Sequence, residues 1–291
     1  MEWIKKIFFY LLISNFVFSQ DSLESLLNPV NNDDEIVLAT FFSTRIINSH
    51  SVELYDPGAM DMRISHRFGA LNTGFYELFG LDQATIRLGF EYGLTKNMMI
   101  GIGRSSYKKN YDSFIKYSII KQRKKQKFPI SIVYFTSLSV QSIKKQQENY
   151  PFSGRLSYCN QLLISSKINK NFSLQIMPTY VHKNMVDFTS YFNDIFLIGS
   201  AIKYNIFRST SLNFEYFYRI TDADISNQSQ DTFYNSFSIG LDIEAGGHVF
   251  QLHLTNSLSM YEVGFLTETN RSWSDGGIHF GFNISREFTL K

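Results

Sequence analysis

The sequence contains six histidines, the side chains best suited to act as general bases or metal ligands near neutral pH: His50, His66, His182, His248, His253 and His279. His248 and His253 are five positions apart, so an extended strand would place them on opposite faces, where they cannot share a metal. His253 and His279 could meet across a hairpin, but no carboxylate–histidine spacing supports a metal site. The sequence therefore predicts neither a metal centre nor a cofactor.

His66 has the most distinctive position of the six histidines. It lies in the apolar row of its segment, on the face predicted to point toward lipid. On the outer wall of a membrane barrel, a histidine with a serine and a polar partner could hydrolyse lipid esters. No serine on the same face lies nearby in the sequence, and a place among interfacial aromatic rings is the other interpretation. We therefore expect no enzyme, with a lipid-modifying enzyme of the outer membrane as the alternative.

Charged residues recur on the opposite, polar rows, and both signs are present. They could form a weakly selective path for a small solute, or they could pair with one another and fill a narrow interior, because isolated buried charges are costly. The candidates facing the interior are Asp61, Arg63, Arg67, Arg87, Glu91, Glu215, Arg219, Asp242, Glu244, His253 and His279, with Lys116, Lys203 and Glu287 on the same register.

A two-residue period positions these side chains. Met60–Phe68, Ile86–Leu94, Leu212–Ile220, Phe237–Ala245 and Ile278–Leu290 each alternate large apolar residues with polar or small ones. Successive side chains of a strand point to opposite faces, so each segment has one apolar and one polar face. Weaker copies predict further strands near 98–105, 113–122, 130–141, 155–166, 172–182, 194–205 and 248–257.

The predicted strands are about ten residues long, which suits a tilted strand crossing a bilayer. Short connections alternate with longer polar ones, as in outer-membrane barrels, where the short turns face the periplasm. The fold class predicted is therefore all-β: a transmembrane antiparallel β-barrel of about 12 strands over residues 58–291. A soluble periplasmic β-sandwich that binds a ligand is the alternative, since antiparallel sheets alternate in the same way.

The N-terminus has the pattern of a secretory signal peptide over residues 1–19, with Lys5 and Lys6 followed by the apolar run Ile7–Phe18. Export to the outer membrane is the expected localisation. Removing these residues leaves a net charge of about +1 against +2 for the whole chain, with no clustered basic face, so nucleic acid is not an expected partner. The single cysteine, Cys159, excludes an internal disulfide.

Residues 20–57 remain as a leader and a segment outside the strand count. A thirteenth strand would break the even number of bacterial barrels, so we expect this segment to fold into the lumen or across its mouth.

Several blocks of the sequence resemble an uncharacterised outer-membrane β-barrel family, a domain of unknown function typical of the Bacteroidota. The blocks cover most of the chain: Ser43–Glu53, Asp61–Gly69, Phe79–Thr85, Gly101–Ser106, Gln251–Ser257 and Ile278–Phe288. The resemblance implies a transmembrane barrel and carries over no catalytic residue. Because the first block lies in the segment outside the strand count, Arg45, Asn48 and His50 are candidate contacts between a plug and the lumen.

The function predicted from these observations is a porin-like barrel that passes a small solute, or one that serves envelope structure or partner binding. The surrounding outer-membrane lipid is its expected partner.

Overall fold

The computed structural model describes residues 35–125, 129–144, 150–186, 192–221 and 233–289. The expected signal peptide and residues 20–34 of the leader lie outside these ranges. One compact unit begins at Ile36 and contains all the strands named below.

The described residues form twelve antiparallel strands that close into a barrel, with β1 paired to β12 and each other strand paired to its sequence neighbours. The all-β barrel predicted from the period-two pattern is confirmed. The strands are β1 (Ala59–Ala70), β2 (Ala84–Thr95), β3 (Met98–Ser105), β4 (Asn110–Ile120), β5 (Ser131–Gln141), β6 (Leu156–Lys167), β7 (Phe172–Lys183), β8 (Asp194–Phe207), β9 (Thr210–Arg219), β10 (Phe237–Ala245), β11 (His248–Thr255) and β12 (His279–Thr289).

Each strand buries one face and leaves the other partly exposed. In β1, Asp61 and Arg63 are fully buried, while the alternating residues Met62 and Ile64 are only half-buried. Large apolar residues remain exposed on the outward rows of most strands, Ile102 and Phe196 among them at 62% and 51%. A continuous apolar wall of this kind is stable in acyl chains and unstable in water.

The connections differ between the two ends of the barrel. The turn end carries the short links 96–97, 168–171, 208–209 and 246–247, and the loop end carries the links 71–83, 184–193, 220–236 and 256–278. At the turn end Gly246 and Gly247 adopt φ angles of 59° and 75°, which the tight hairpin between β10 and β11 requires. Apart from the short link 106–109 at the loop end and the longer link 121–130 at the turn end, short turns lie at one end and longer loops at the other, as the sequence predicts.

Two segments fold inside the barrel. The hairpin insert, residues 40–52, precedes β1, and all its residues except Phe42 are buried. The loop insert, residues 256–269, follows β11 and contains the short helix α1 (Glu262–Thr267), whose residues are all buried. Among the described residues, no helix is both long and apolar enough to span a bilayer.

An apolar cluster inside the barrel holds both inserts against the strands. Its members come from the hairpin insert, the loop insert and the inward face of β3 to β9: Phe41, Ile46, Ile47, Val52, Tyr261, Val263, Phe265, Leu266, Met99, Phe114, Val133, Phe135, Cys159, Leu163, Met177, Val181, Ile195, Leu197, Ala201 and Phe217. The inward charged residues of β1 and β2 lie outside this apolar part of the wall. The inserts therefore pack on an apolar surface and bond to a polar one.

Candidate functional site: the closed lumen

The tip of the hairpin insert is held by one carboxylate of the wall. A bridge pairs Arg45 with His50, and the Ile46 amide donates to the Ser49 carbonyl at 2.9 Å, so residues 46–49 form a tight turn. Oε2 of Glu215 on β9 accepts the Ser49 amide at 2.9 Å and the Ser49 hydroxyl at 2.6 Å. The Ile47 and Asn48 amides point to the same oxygen at 3.4 and 3.2 Å. Glu215 thus satisfies amides of the turn that have no partner inside the hairpin.

Side chains of β1, β11 and β12 bind the other side of the turn. The Gln251 amide donates to the Ile46 carbonyl at 2.8 Å, and the Asn283 amide donates to the Ile47 carbonyl at 3.2 Å. The Arg67 guanidinium donates to the Asn48 side-chain oxygen at 2.6 Å and to His253 Nε2 at 2.8 Å. Polar residues on strands distant in sequence therefore converge on a turn of four residues.

The base of the hairpin insert contacts the charged wall formed by β1, β2 and β4. The Thr44 hydroxyl donates to Glu91 at 2.6 Å, and Arg63 donates to the Ser43 hydroxyl at 2.7 Å. Lys116 donates to the Glu53 carbonyl at 2.5 Å. The interior charges are thus compensated by the insert as much as by one another.

The two inserts meet at a seam made by Arg45, His50 and Glu262. The Arg45 guanidinium donates to Glu262 Oε1 at 2.9 Å, and His50 Nε2 lies 3.3 Å from the same oxygen. The His50 ring is flanked by Phe114 and Phe135, each with its centroid 4.4 Å away. Burial, reinforced by the positive charges of Arg45 and Lys116, holds the pKa of His50 well below its ordinary value. His50 is therefore neutral in the seam.

Several polar atoms at the seam have no hydrogen-bond partner within the described part of the chain. They include Nε and Nη2 of Arg45, both ring nitrogens of His50 and Oε2 of Glu262. Buried polar atoms without partners cost free energy, and that cost falls when they become accessible to water. Exposure to water would therefore stabilise polar atoms of the seam and oppose the closure there.

A second ionic contact fixes the loop insert near the loop end. The Glu268 carboxylate forms ion pairs with Lys108 Nζ at 2.7 Å and with Lys183 Nζ at 3.1 Å. The Arg219 guanidinium donates to the Thr267 carbonyl at 3.0 Å. Burial alone would raise the pKa of Glu268, but the two ammonium groups and their hydrogen bonds outweigh it and lower the pKa to about 2. The carboxylate therefore stays ionised and holds both lysines.

The structure buries most of the residues predicted to face the lumen: Asp61, Arg63, Arg67, Arg87, Glu91, Glu215, Asp242, His253, His279, Lys116 and Lys203. Arg219 is half-buried beneath the loop insert, whereas Glu244 and Glu287 are exposed at the turn end. Arg45, Asn48 and His50 lie in the hairpin insert, among these wall residues. No group of three or more potential metal-ligating side chains occurs among the residues that the structure describes.

Sequence reasoning missed the residues that complete the site. Asp112 forms an ion pair with Arg87 and lies on the inward register of β4, so its alternation with Phe114 and Lys116 could have revealed it. Glu262 and Glu268 belong to a link interpreted as an ordinary polar loop. No periodic pattern signals that a loop folds back into a barrel.

His66 points outward, as its register predicts, and packs among aromatic rings. Its ring lies 4.4 Å from Phe68 and is stacked on Phe282 at 5.0 Å. Its Nδ1 has no hydrogen-bond partner among the described residues. The geometry matches the aromatic interpretation of this histidine.

A closed barrel with an apolar outside and polar groups facing inward defines the class of outer-membrane β-barrels. The chain belongs to the family described as membrane bound beta barrel domain, DUF5777, whose model matches residues 41–288. This family membership confirms the resemblance and the outer-membrane localisation. A distribution typical of the Bacteroidota stays a prediction.

The chain is similar to solved structures at low sequence identity. The NanC porin is 11% identical with a TM-score of 0.50, over 80% of this chain and all of that one. A KdgM porin in complex with disordered oligogalacturonate is 10% identical with a TM-score of 0.44, over 80% and 99% of the two chains. An active-site mutant of outer membrane phospholipase A from Escherichia coli is 12% identical with a TM-score of 0.48, over 86% and 98%. No curated protein sequence matches the chain.

Proposed function

We propose that this barrel passes a small solute across the outer membrane and that the structure represents its closed state. The main support for this proposal is the way in which the lumen is closed. Two chain segments, the hairpin insert and the loop insert, occupy the space that the strands enclose. Segments outside the strands can move without breaking the hydrogen bonds that close the barrel wall.

The inward face of the strands supports this proposal because small residues make room for the inserts. A Cβ placed on Gly240 would lie 3.1 Å from the side chain of Ile47, so any larger residue there would press on the turn. Barrels of this size lie between those filled by side chains and the wide porins with aqueous channels. Without the inserts, the wall would enclose a water-accessible space.

The bonds that hold the inserts are of a kind that water can replace. Glu215, Gln251 and Asn283 bind backbone groups of the hairpin turn, and hydration would satisfy both partners after separation. The uncovered wall would carry Arg63, Arg67 and Glu91, together with other charges of both signs. We therefore expect the open path to be charged on one side and apolar along β3 to β9, and only weakly selective for charge.

An enzymatic function is the less favoured alternative. His66 would have to act on lipid from an aromatic environment, and the described residues around it supply no hydrogen-bonded serine or carboxylate. We infer that the protein is not an enzyme. Unchanged lipid turnover in a His66→Ala variant would agree with this inference.

Solute flux into proteoliposomes tests the proposed passage. The full chain is refolded into vesicles, and Glu262→Gln is compared with the wild type for uptake of small sugars of graded size. Glu262→Gln removes the charge at the seam and should increase uptake several-fold. Glu287→Gln, an exposed carboxylate at the turn end, is the matched control and should behave as the wild type. Equal and negligible uptake by all three proteins would leave a structural barrel and refute passage.

A further inference from the structure

An arginine lies on the outward wall of the barrel, among mostly apolar side chains. Arg104 precedes the last residue of β3, near the loop end, and is exposed. Its Nε donates to the Tyr111 hydroxyl at 3.2 Å, and its guanidinium carbon lies 5.4 Å from the centre of the Tyr111 ring. No carboxylate of the described residues lies within ion-pair distance of Arg104. The cation is held in position by an aromatic ring while its charge remains unpaired.

A groove of about 510 Å³ runs along the wall beside this arginine. Strand register explains its shape, because Ser113 pairs with Ile102 on one side and with Leu138 on the other. The small serine between two larger residues leaves a depression in the outward surface. The lining includes Leu88, Phe90, Ile102, Leu138 and Val140, with Arg104 and Tyr111 toward the loop end.

The groups facing the groove are positive, apolar or uncharged hydroxyls. Asp112 contributes to the lining, but its carboxylate is inside the barrel, where Arg87 binds it. An arginine whose N–H groups are free binds two oxygens of a phosphate well. The Tyr111 ring covers one face of the Arg104 guanidinium, which leaves the N–H groups along its edge available. An apolar groove that continues along the strands suits an acyl chain.

We propose that Arg104 and the groove between β2 and β5 form a binding site for one net-anionic phosphorylated lipid of the surrounding leaflet. The guanidinium binds the phosphate of the headgroup, and an acyl chain lies over Ser113 between Ile102 and Leu138. This lipid is a specific ligand, distinct from the lipids that surround the barrel without selection. The site is independent of the lumen and of any solute.

Native mass spectrometry of the purified full chain tests the site with defined lipids. The protein is titrated with lipid A, whose headgroup carries phosphate monoesters, and with zwitterionic phosphatidylcholine. The wild type should retain one lipid A at concentrations where it retains no phosphatidylcholine. Arg104→Gln should weaken lipid A retention about tenfold, the loss expected when one charged, forked contact is removed.

Two further variants separate the site from a general charge effect. Arg286→Gln is the matched control, because Arg286 is also exposed on a strand, with its guanidinium 5.0 Å from the Phe288 ring, but lies at the turn end and outside the groove. It should retain lipid A as the wild type does. Ser113→Phe fills the groove without changing charge and should also weaken retention.

The proposal is overturned if phosphatidylcholine is retained as well as lipid A, or if Arg104→Gln and Arg286→Gln behave alike. Folding of every variant is verified by heat-modifiable migration on gels, so that a loss of retention reports the site.

Discussion

Glu215 offers the sharpest test of how the hairpin insert is held. Its Oε2 accepts the amide and the hydroxyl of Ser49 at 2.9 and 2.6 Å, and two further amides point to it at longer distance. The residue is 1% exposed, so solvent does not screen these contacts. Glu215→Ala removes them and leaves the barrel wall otherwise unchanged.

The magnitude follows from the two short bonds. A hydrogen bond to a charged group contributes about 1.5–3 kcal/mol, and burying the carboxylate offsets part of that gain, so the closed state should lose about 3 kcal/mol. Because about 1.4 kcal/mol corresponds to a tenfold change in an equilibrium constant, the ratio of open to closed barrels should rise about a hundredfold. Glu215→Gln keeps a neutral acceptor and should give roughly a tenfold rise.

Single-channel recording in planar bilayers measures this ratio. The wild type should show rare openings, and Glu215→Ala should show frequent ones of the same conductance. Glu244→Ala removes an exposed carboxylate at the turn end of the neighbouring strand β10 and should match the wild type. The reasoning is refuted if Glu215→Ala and Glu244→Ala give the same open fraction.

Three further perturbations test the closure from other sides. Since His50 is neutral when buried, it stabilises the closed state fully above its ordinary pKa of about 6.5, and this stabilisation is lost as the pH falls below that value. Openings should therefore become more frequent on acidification. His50→Gln should flatten this pH profile. Glu268→Gln releases Lys108 and Lys183 and so loosens the loop insert. Cys159 is buried on β6, the strand that contacts α1, and it should then react faster with a membrane-impermeant thiol reagent. An unchanged reaction rate would contradict the role of this contact. Gly240→Val forces a side chain against Ile47 and should raise the open fraction, and a decrease would mean that the turn does not lie there during gating.

The sequence was sufficient to predict the barrel because membrane strands obey a local rule. Each two-residue step must alternate between lipid and lumen, so the pattern around Arg63 or Leu241 predicts both the strand and its inward face. The even number of predicted strands then agrees with a closed barrel. The predicted strand boundaries fall within a few residues of those observed.

The site could be predicted only in part, because its contacts are not local. Arg45, Asn48 and His50 came from a segment that the strand count left over, and their partners could not be read from spacing. Glu262 lies 217 positions after Arg45, in a loop whose composition resembles that of a solvent-exposed link. Only the folded barrel brings these residues together.

A reversible bond between the hairpin insert and the wall tests the central claim most directly. Asn48 and Ser238 of β10, whose side chains are hydrogen-bonded at 2.8 Å, are replaced by cysteine in a chain that carries Glu215→Ala and Cys159→Ser. Gel migration with and without reductant establishes that the bond forms. If the insert closes the path, the oxidised protein will be silent in planar bilayers and reductant will restore the openings. Equal currents before and after reduction would contradict the account.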